Sequence, residues 1–373
     1  MKGFVGNRLA ENGHLESIRV EVTSGRISNI KVCKNVDASL PLIVPGFIDV
    51  HVHGGGGADT MDANEEAFEA IAATHAKYGT TSLLLTTVTE SIERIDKVID
   101  CAKSYMKKSH GTGATVVGLH LEGPFIHPDK PGAQRQDCII EPDPSLVNRW
   151  LSSGIVRMIT MAPERPHAQA VAELAKQKGV IVAAGHTTAD EACMQEARLM
   201  GFSHLTHLCN AMNPFLHRDV GPIGAVISDE AFTADLICDG IHVHPAMIKA
   251  LIRSIGSERL MLITDAMRAA AMPPGTYELG GLEVYVRDNE CRLSDGTLAG
   301  SVLTMSRAYQ LVQSLGGVSP IVAQRMSSLN PAQKLGLTTK GKIDEGYDAD
   351  LVWLDPSGEV LRTVVNGRVV FER

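Results

Sequence analysis

The chain has 373 residues, of which 44% are hydrophobic and 21% charged, as is ordinary for a globular protein. The net charge of -8 and the lack of any Lys/Arg-rich block exclude the basic face that nucleic-acid binding needs, so we expect small-molecule partners. No stretch approaches the roughly 20 apolar residues of a membrane-spanning helix. Residues 1–14 lack the hydrophobic core of a secretion signal, and the seven cysteines form no C-x-x-C pair. We therefore expect a cytoplasmic protein without membrane contact.

The first predicted element is a β-hairpin near the N-terminus. Residues 15–32 alternate apolar and polar side chains around a Ser-Gly turn, which is the period of a half-exposed antiparallel pair. Residues 349–371 repeat this pattern around an Asn-Gly turn. The two ends of the chain are therefore predicted to build one small β-sandwich domain, from residues 1–44 and 335–373.

Eight strand-like apolar runs lie between these ends, and segments of helix length separate them. The runs cover residues 42–53, 81–89, 115–124, 156–164, 179–187, 204–212, 232–242 and 260–267. Residues 65–79 have helical spacing and end on a glycine, as a helix commonly does. This alternation predicts an α/β fold, a (β/α)8 barrel of the TIM type over residues 45–334.

Polar side chains end nearly every one of these runs. They are His51, His53, Thr86, Thr87, Glu122, Glu164, His186, His207, Asp239, His242 and Asp265. The carboxyl ends of barrel strands all open onto one face, so residues distant in the chain are expected to meet there.

The spacing of His51 and His53 suggests a metal site, because residues i and i+2 of a strand point to the same side. Two histidines and a carboxylate are ligands that zinc takes, and Glu122 is the best-placed carboxylate. His186 and His207 end two later runs. The alternatives are a capping or salt-bridged Glu122 and hydrogen-bonded core histidines, as we expect for His120 and His204 within their strands.

Asp265 is expected to differ from the ligands. A carboxylate at the mouth of the barrel, close to metal charge, stays ionised and suits a general base for the attacking water. The alternatives are a further metal ligand or a structural carboxylate bonded to backbone.

Several motifs, in order, closely resemble those of the N-acetylglucosamine-6-phosphate deacetylases of the amidohydrolase superfamily. They are HVHGGGG, LHLEGPFIHPDKPGA, AGHT, HLTHLCNAM, HRDVG, DGIHVHP, LITDAM and LAGS, and the resemblance covers nearly the whole chain. It implies metal-dependent deacetylation of N-acetyl-D-glucosamine 6-phosphate to D-glucosamine 6-phosphate and acetate, in amino-sugar catabolism.

The resemblance also implies roles for residues. Glu122, His186 and His207 would hold the principal divalent ion, and Asp265 would be the catalytic acid and base. Members that keep H-x-H can hold a second ion there, so one or two ions per subunit are expected with His51 and His53 present. We expect Zn²⁺, although Fe²⁺, Co²⁺ and Mn²⁺ share such ligands.

The substrate contacts implied by the resemblance are Ala133, Gln134, Asn210, Ala211, Asp239, His242, Leu298, Ala299 and Gly300. Arg218 would reach the phosphate from a neighbouring subunit, which makes a homodimer or higher homo-oligomer the expected assembly. The family usually has a histidine where this chain has Gln134. Glutamine donates a hydrogen bond but carries no charge, so a weaker hold on the substrate carbonyl or a shifted substrate is expected.

Three other functions stay open. The substrate can be another N-acetylhexosamine phosphate, such as N-acetylgalactosamine 6-phosphate, because epimers differ by one hydroxyl orientation. A cyclic-amide hydrolase would carry a modified lysine on the fourth strand, whereas the run at 156–164 has none. The third alternative is a catalytically silent relative kept for binding.

Overall fold

The structure, a computed structural model, describes residues 2–10, 12–108 and 111–373. Eight parallel strands stand side by side in chain order, each hydrogen-bonded to the next, which confirms the predicted barrel architecture. In chain order these barrel strands are Phe47–Val52, Thr80–Thr86, Thr115–Glu122, Val156–Met161, Ile181–Ala184, Phe202–Leu205, Thr233–Ile237 and Leu260–Ile263. Within the described ranges, no helix has both the length and the apolarity that a bilayer crossing requires.

Helices follow the barrel strands and pack their apolar faces against them. They are Glu65–Ala76, Ile92–Met106, Pro144–Leu151, Ala168–Gln177, Glu191–Met200, Gly221–Ser228, Pro245–Ile255 and Met305–Gly316, followed by Pro320–Gln324, a π-helical turn at Arg325–Leu329, and Asn330–Lys334. The first shows why the sequence forms them. The Asn64 side chain caps its start by accepting from the Ala67 N–H at 2.8 Å, and the chain leaves it at Gly79, whose φ is 86°.

Both ends of the chain contribute to one seven-stranded sheet beside the barrel. Its spatial order is Arg368–Glu372, Val360–Val365, Leu351–Leu354, Leu42–Pro45, Lys2–Leu9, Leu15–Thr23 and Arg26–Val32. The two predicted hairpins are present at its two edges, and the predicted β unit from both termini is confirmed. The domain limits at residues 44 and 335 stay a prediction.

A small three-stranded sheet interrupts the chain after the eighth barrel strand, and sequence analysis did not predict it. Its strands are Gly275–Leu279, Leu282–Arg287 and Glu290–Arg292. They are short and half-exposed, so no long apolar run marks them. This sheet lies at the mouth of the barrel, where Leu279 and Arg292 line the cavity described next.

Candidate metal centre and active site

The first barrel strand delivers His51 and His53 into the barrel mouth. Both rings are buried, and their Nε2 atoms lie 3.1 Å apart. The Nδ1 of His53 lies 3.2 Å from the Thr86 carbonyl oxygen, to which it donates, so its Nε2 is free to bind an ion. Gly54 then turns the chain away. A Cβ there would stand 2.4 Å from the Ala58 carbonyl oxygen, so only glycine fits.

Glu122 ends the third barrel strand and lies against two further histidines. Its Oε1 is 3.2 Å from the Nε2 of His186 and 2.9 Å from the Nε2 of His207, and these two nitrogens are 3.1 Å apart. The Nδ1 of His186 donates to the Lys130 carbonyl oxygen at 2.9 Å. That bond again fixes the tautomer which leaves Nε2 available as a ligand.

These residues form two buried triads that share Glu122. One is His51, His53 and Glu122, and the other is Glu122, His186 and His207. The carboxylate is 3.6 Å from His51 and 3.5 Å from His53. Two nitrogens on one tetrahedral zinc ion lie about 3.3 Å apart, given bonds of about 2.0–2.1 Å. The 3.1 Å spacing within each histidine pair is close to that value, so both triads fit a divalent ion.

Asp265 follows the eighth barrel strand and faces the first triad. Its Oδ1 is 3.1 Å from the Nε2 of His53 and 3.5 Å from that of His51. It thus lies on the side of the His51 and His53 pair rather than beside His186 and His207. This position suits a base for a water held at the centre, and equally a ligand of an ion at the first triad.

The electrostatics of the cluster favour a bound cation. Burial raises the pKa of Glu122, but the nearby His51 and contacts with His186 and His207 hold that pKa well below its usual range. Burial likewise raises the pKa of Asp265, yet His51 and His53 outweigh it and bring the pKa to about 2. Two ionised carboxylates are therefore buried together, and such charges need compensation.

The histidines differ in their ability to supply that charge. Burial lowers the pKa of His207, but its hydrogen bond to Glu122 outweighs this and raises that pKa. Burial lowers the pKa of His51 to about 4. Burial also lowers the pKa of His53, but its hydrogen bond to Asp265 and the charge of Glu122 outweigh this and raise it to about 9. Within the described part of the chain, Nδ1 of His51 and of His207 has no hydrogen-bond partner. Divalent metal binding satisfies both carboxylates while leaving the imidazoles neutral.

The backbone at the site is strained. Four residues here have a left-handed backbone, a region that residues other than glycine rarely enter. They are His186, His207, Ala211 and Asp265, with φ values of 49°, 33°, 47° and 50°. Each such residue costs on the order of 1–3 kcal/mol and persists only where its surroundings hold it. Strain of this kind concentrates at functional sites, in keeping with the convergence of ligands.

A cavity of about 340 Å³ opens above the triads. Of the substrate contacts that the resemblance implied, those lining it are Ala133, Gln134, Asn210, Ala211, His242, Leu298 and Gly300. Ala299 is fully buried and does not line the cavity, so its contact with substrate stays a prediction. Asp239 does not line the cavity, and its Oδ2 accepts from the Nδ1 of His242 at 2.6 Å, so a substrate contact of Asp239 stays a prediction.

Arg218 is placed differently from the other expected substrate residues. It lies on an exposed loop and does not line the cavity of its own chain. Phe215 and Leu216 on the same loop expose 44% and 52% of their surface. The contact of Arg218 with a neighbouring subunit stays a prediction.

Gln134 contacts the shared carboxylate. Its Nε2 donates to Glu122 Oε2 at 2.6 Å, and its Oε1 accepts from the Thr89 backbone N–H at 2.5 Å. Gln134 therefore orients Glu122 while lining the cavity. Contact of its side chain with substrate stays a prediction.

Other sequence expectations fall outside the cluster. Glu164 bonds the Thr187 hydroxyl at 2.5 Å and the Thr188 N–H at 2.6 Å, and so shapes a loop instead of holding an ion. His120 bonds the Val50 carbonyl oxygen and the Thr160 hydroxyl, the structural role expected for it. Arg292, which sequence analysis missed, also lines the cavity, and its guanidinium donates to Glu290 Oε2 at 2.6 Å and to the Gly296 carbonyl oxygen at 2.7 Å. No sequence motif marked this arginine.

The comparisons with known proteins agree with this geometry. A model of the amidohydrolase family matches residues 42–370. An N-acetylglucosamine-6-phosphate deacetylase from Lysinibacillus sphaericus is 40% identical over 367 residues, covering 96% of this chain and 94% of the relative. The chain belongs to the N-acetylglucosamine-6-phosphate deacetylase family of amidohydrolases. The family expected from the motifs is thereby confirmed.

Two further relatives are named for the substrate they bind or act on. A mutant N-acetyl-D-glucosamine-6-phosphate deacetylase from Mycobacterium smegmatis, solved in complex with N-acetyl-D-glucosamine 6-phosphate, has a TM-score of 0.92 at 31% identity, covering 99% of this chain and 100% of that one. An N-acetylgalactosamine-6-phosphate deacetylase from Escherichia coli O157:H7 is 35% identical and covers 97% of each chain. The names of the relatives of this deacetylase thus include both the gluco and the galacto epimer of the sugar phosphate.

Proposed function

We propose that this chain is a metal-dependent hydrolase that converts N-acetyl-D-glucosamine 6-phosphate to D-glucosamine 6-phosphate and acetate. The observation that carries the proposal is the pair of buried triads sharing Glu122, with Asp265 beside them at the floor of a cavity. Relatives that match this chain over nearly their full length are named as deacetylases of this substrate.

A divalent ion held by the two triads would act as a Lewis acid on the substrate carbonyl. The chemistry that a divalent ion provides in such a site is polarisation of the amide carbonyl and a lowered pKa for the attacking water. Glu122, His186 and His207 would hold one ion, and His51 and His53, with Glu122 shared, would hold a second. We propose Zn²⁺ as the metal, with Fe²⁺, Co²⁺ and Mn²⁺ as candidates for the same ligands.

Asp265 moves the proton. Its ionised carboxylate takes a proton from the water as the water oxygen attacks the acetyl carbon. It then gives that proton to the amide nitrogen as the C–N bond breaks, which releases acetate and the free amine. The water is the nucleophile, so the chain needs no covalent intermediate.

The cavity orients the sugar phosphate. His242, whose Nδ1 is held by Asp239, presents its Nε2, and Asn210 with Ala211 forms the adjoining wall. A phosphate monoester is nearly dianionic, and imidazole, guanidinium and backbone N–H groups are its natural partners. Arg218 of a second protomer would complete this set.

A substrate panel tests the function directly. Protein loaded separately with each of the four ions is incubated with the 6-phosphates of N-acetylglucosamine and N-acetylgalactosamine, and with unphosphorylated N-acetylglucosamine. We expect acetate and amine in equal amounts, with kcat/KM for the gluco phosphate at least about tenfold above the others. Absence of acetate from every compound with every ion would leave the silent binding protein as the remaining interpretation.

The galacto epimer is the second candidate substrate. The Escherichia coli relative that carries this name supports it, as does Gln134 at a position where the family usually has histidine. A higher kcat/KM on N-acetylgalactosamine 6-phosphate in the same panel would make the galacto epimer the preferred substrate. The reaction, hydrolysis of the acetamide, would be the same.

We also propose that the active unit is a homodimer in which Arg218 crosses the interface. Heterodimers of an Arg218→Ala subunit with an Asp265→Asn subunit, isolated with two different tags, test this. In a twofold dimer one of the two sites then has both residues intact, so we expect about half of wild-type activity from two impaired parents. A heterodimer no more active than its parents, or a fully active Arg218→Ala homodimer, would contradict the proposal.

A further inference from the structure

The eighth barrel strand meets the first through a different hydrogen-bond pattern from the one that joins the other neighbouring barrel strands. Each of the first seven barrel strands is joined to the next by a parallel ladder. Between Leu260–Ile263 and Phe47–Val52, the described residues form no such ladder. The closure lies beyond the eighth strand, where the Asp265 N–H donates to the His51 carbonyl oxygen at 3.0 Å and the His53 N–H donates to that of Ala266 at 2.9 Å.

A buried carboxylate spans this closure below the metal centre. Asp49 is fully buried in the first barrel strand. Its Oδ2 accepts from the Thr264 hydroxyl at 2.6 Å, and its Oδ1 accepts from the backbone N–H groups of Thr264 and His51, both at 3.3 Å. The hydroxyl oxygen of Thr264 in turn accepts from the Ala266 N–H at 3.2 Å. Asp49 thus joins the strand of His51 directly to Thr264 and, through the Thr264 hydroxyl, to Ala266, the two residues that flank Asp265.

The surroundings of Asp265 explain why such a tie is needed. Its backbone is left-handed, a conformation that the neighbouring structure must hold in place. Thr264 is fixed on one side by Asp49 and on the other by Ser301, whose hydroxyl donates to the Thr264 carbonyl oxygen at 2.6 Å. The Ser301 N–H donates to the Asp265 carbonyl oxygen at 2.7 Å. Ser301 directly follows Leu298–Gly300, so the same network reaches the substrate cavity.

We propose that Asp49 is a positioning residue that sets the distance between Asp265 and the His51 and His53 pair. It touches neither the ion site nor the cavity, and acts through Thr264 and the His51 backbone. The inference rests on the proposed function only for its kinetic readout. The 3.1 Å contact between Asp265 and His53 spans the closure that Asp49 ties, and displacement by about 1 Å at such a site can lower turnover about 100-fold.

The test uses Asp49→Ala, Thr264→Val and Thr264→Ser. We expect Asp49→Ala and Thr264→Val each to lower kcat by about 10–100-fold with little change in KM, and Thr264→Ser, which keeps the hydroxyl, to restore most of it. Because both variants break one network, the double variant should be no slower than the slower single one. If Asp49→Ala does not fold, the two Thr264 variants alone carry the test.

Asp235→Asn is the matched control. Asp235 is also fully buried, on the seventh barrel strand, and its Oδ1 lies 2.9 Å from the Nε2 of His204, a residue outside both triads and the cavity. Its replacement can change the melting temperature but should leave kcat within about twofold, since additivity holds for sites without shared partners. A kcat loss equal to that of Asp49→Ala would reduce Asp49 to a general structural role.

The visible spectrum of the Co²⁺-loaded protein gives a readout independent of turnover. Asp49→Ala and Thr264→Val should alter the band positions by disturbing His51, whereas Thr264→Ser and Asp235→Asn should match the wild type. Unchanged spectra and unchanged kcat in Asp49→Ala would overturn the proposal. If wild-type protein hydrolyses no N-acetylhexosamine phosphate, the proposed function fails, and the spectra still decide the role of Asp49.

Discussion

Asp265→Asn should abolish nearly all turnover while leaving the metal in place. The amide cannot accept the proton of the attacking water, and loss of a general acid and base lowers rates by about 10²–10⁴-fold. Asp265 belongs to neither triad, and asparagine keeps an oxygen at its position beside His51 and His53, so bound metal should stay near the wild-type content. Steady-state kcat and elemental analysis of the same preparation measure both.

The substitution is conservative for folding. Asp265 has a φ of 50°, and asparagine tolerates this left-handed conformation better than most residues. Asp288→Asn is the matched control, because Asp288 also has a left-handed φ, of 52°, but lies exposed in a turn outside the cavity. Asp288→Asn should be fully active. An active, metal-loaded Asp265→Asn variant would remove Asp265 from its proposed role.

Glu122→Gln should empty the metal centre. Glu122 is the one carboxylate that both triads share, and an amide oxygen is a weaker ligand that contributes no negative charge. We expect the metal content to fall towards zero and acetate release to reach background. Elemental analysis after dialysis against a weak chelator measures the first, and the substrate assay measures the second.

Two comparisons sharpen that expectation. Glu164→Gln removes a carboxylate that follows the fourth barrel strand and, among the described residues, accepts hydrogen bonds from Thr187 and Thr188 alone, so the metal content of this variant should not change. His51→Asn disturbs one triad and leaves Glu122, His186 and His207 intact, so it should retain one ion. If Glu122→Gln keeps as much metal as Glu164→Gln, the shared carboxylate is not a ligand.

The barrel and the ligand cluster could be predicted from sequence because both follow from local patterns. Continuous apolar runs mark strands buried on both faces, and His51 with His53 has the two-residue spacing of one strand face. Parallel strands bring their carboxyl ends together, so the residues ending later runs were expected to meet. The motifs then identified the family and implied the remaining ligands.

The backbone at His207, the partner of Asp49 and the small three-stranded sheet could not be predicted from the sequence. His207 was assigned to a predicted strand over 204–212, whereas the strand ends at Leu205 and His207 has a left-handed backbone. Asparagine, aspartate and histidine enter that conformation more often than most residues other than glycine, but a histidine that ends an apolar run does not by itself predict it. Asp49 and Thr264 are 215 residues apart, and an aspartate inside an apolar run gives no sign of its partner. The short strands after Gly275 are half-exposed and lack an apolar run.

The seven-stranded sheet has a consequence for how the polypeptide is made. Leu42–Pro45 pairs with Lys2–Leu9 on one side and with Leu351–Leu354 on the other, and the indole N–H of Trp353 donates to the Val5 carbonyl oxygen at 3.0 Å. Lys2–Leu9 and Leu42–Pro45 are therefore synthesised well before Leu351–Leu354, the strand that continues their sheet. Contacts of such long sequence separation form slowly, so we expect the barrel to assemble while its neighbouring sheet still lacks three of its seven strands.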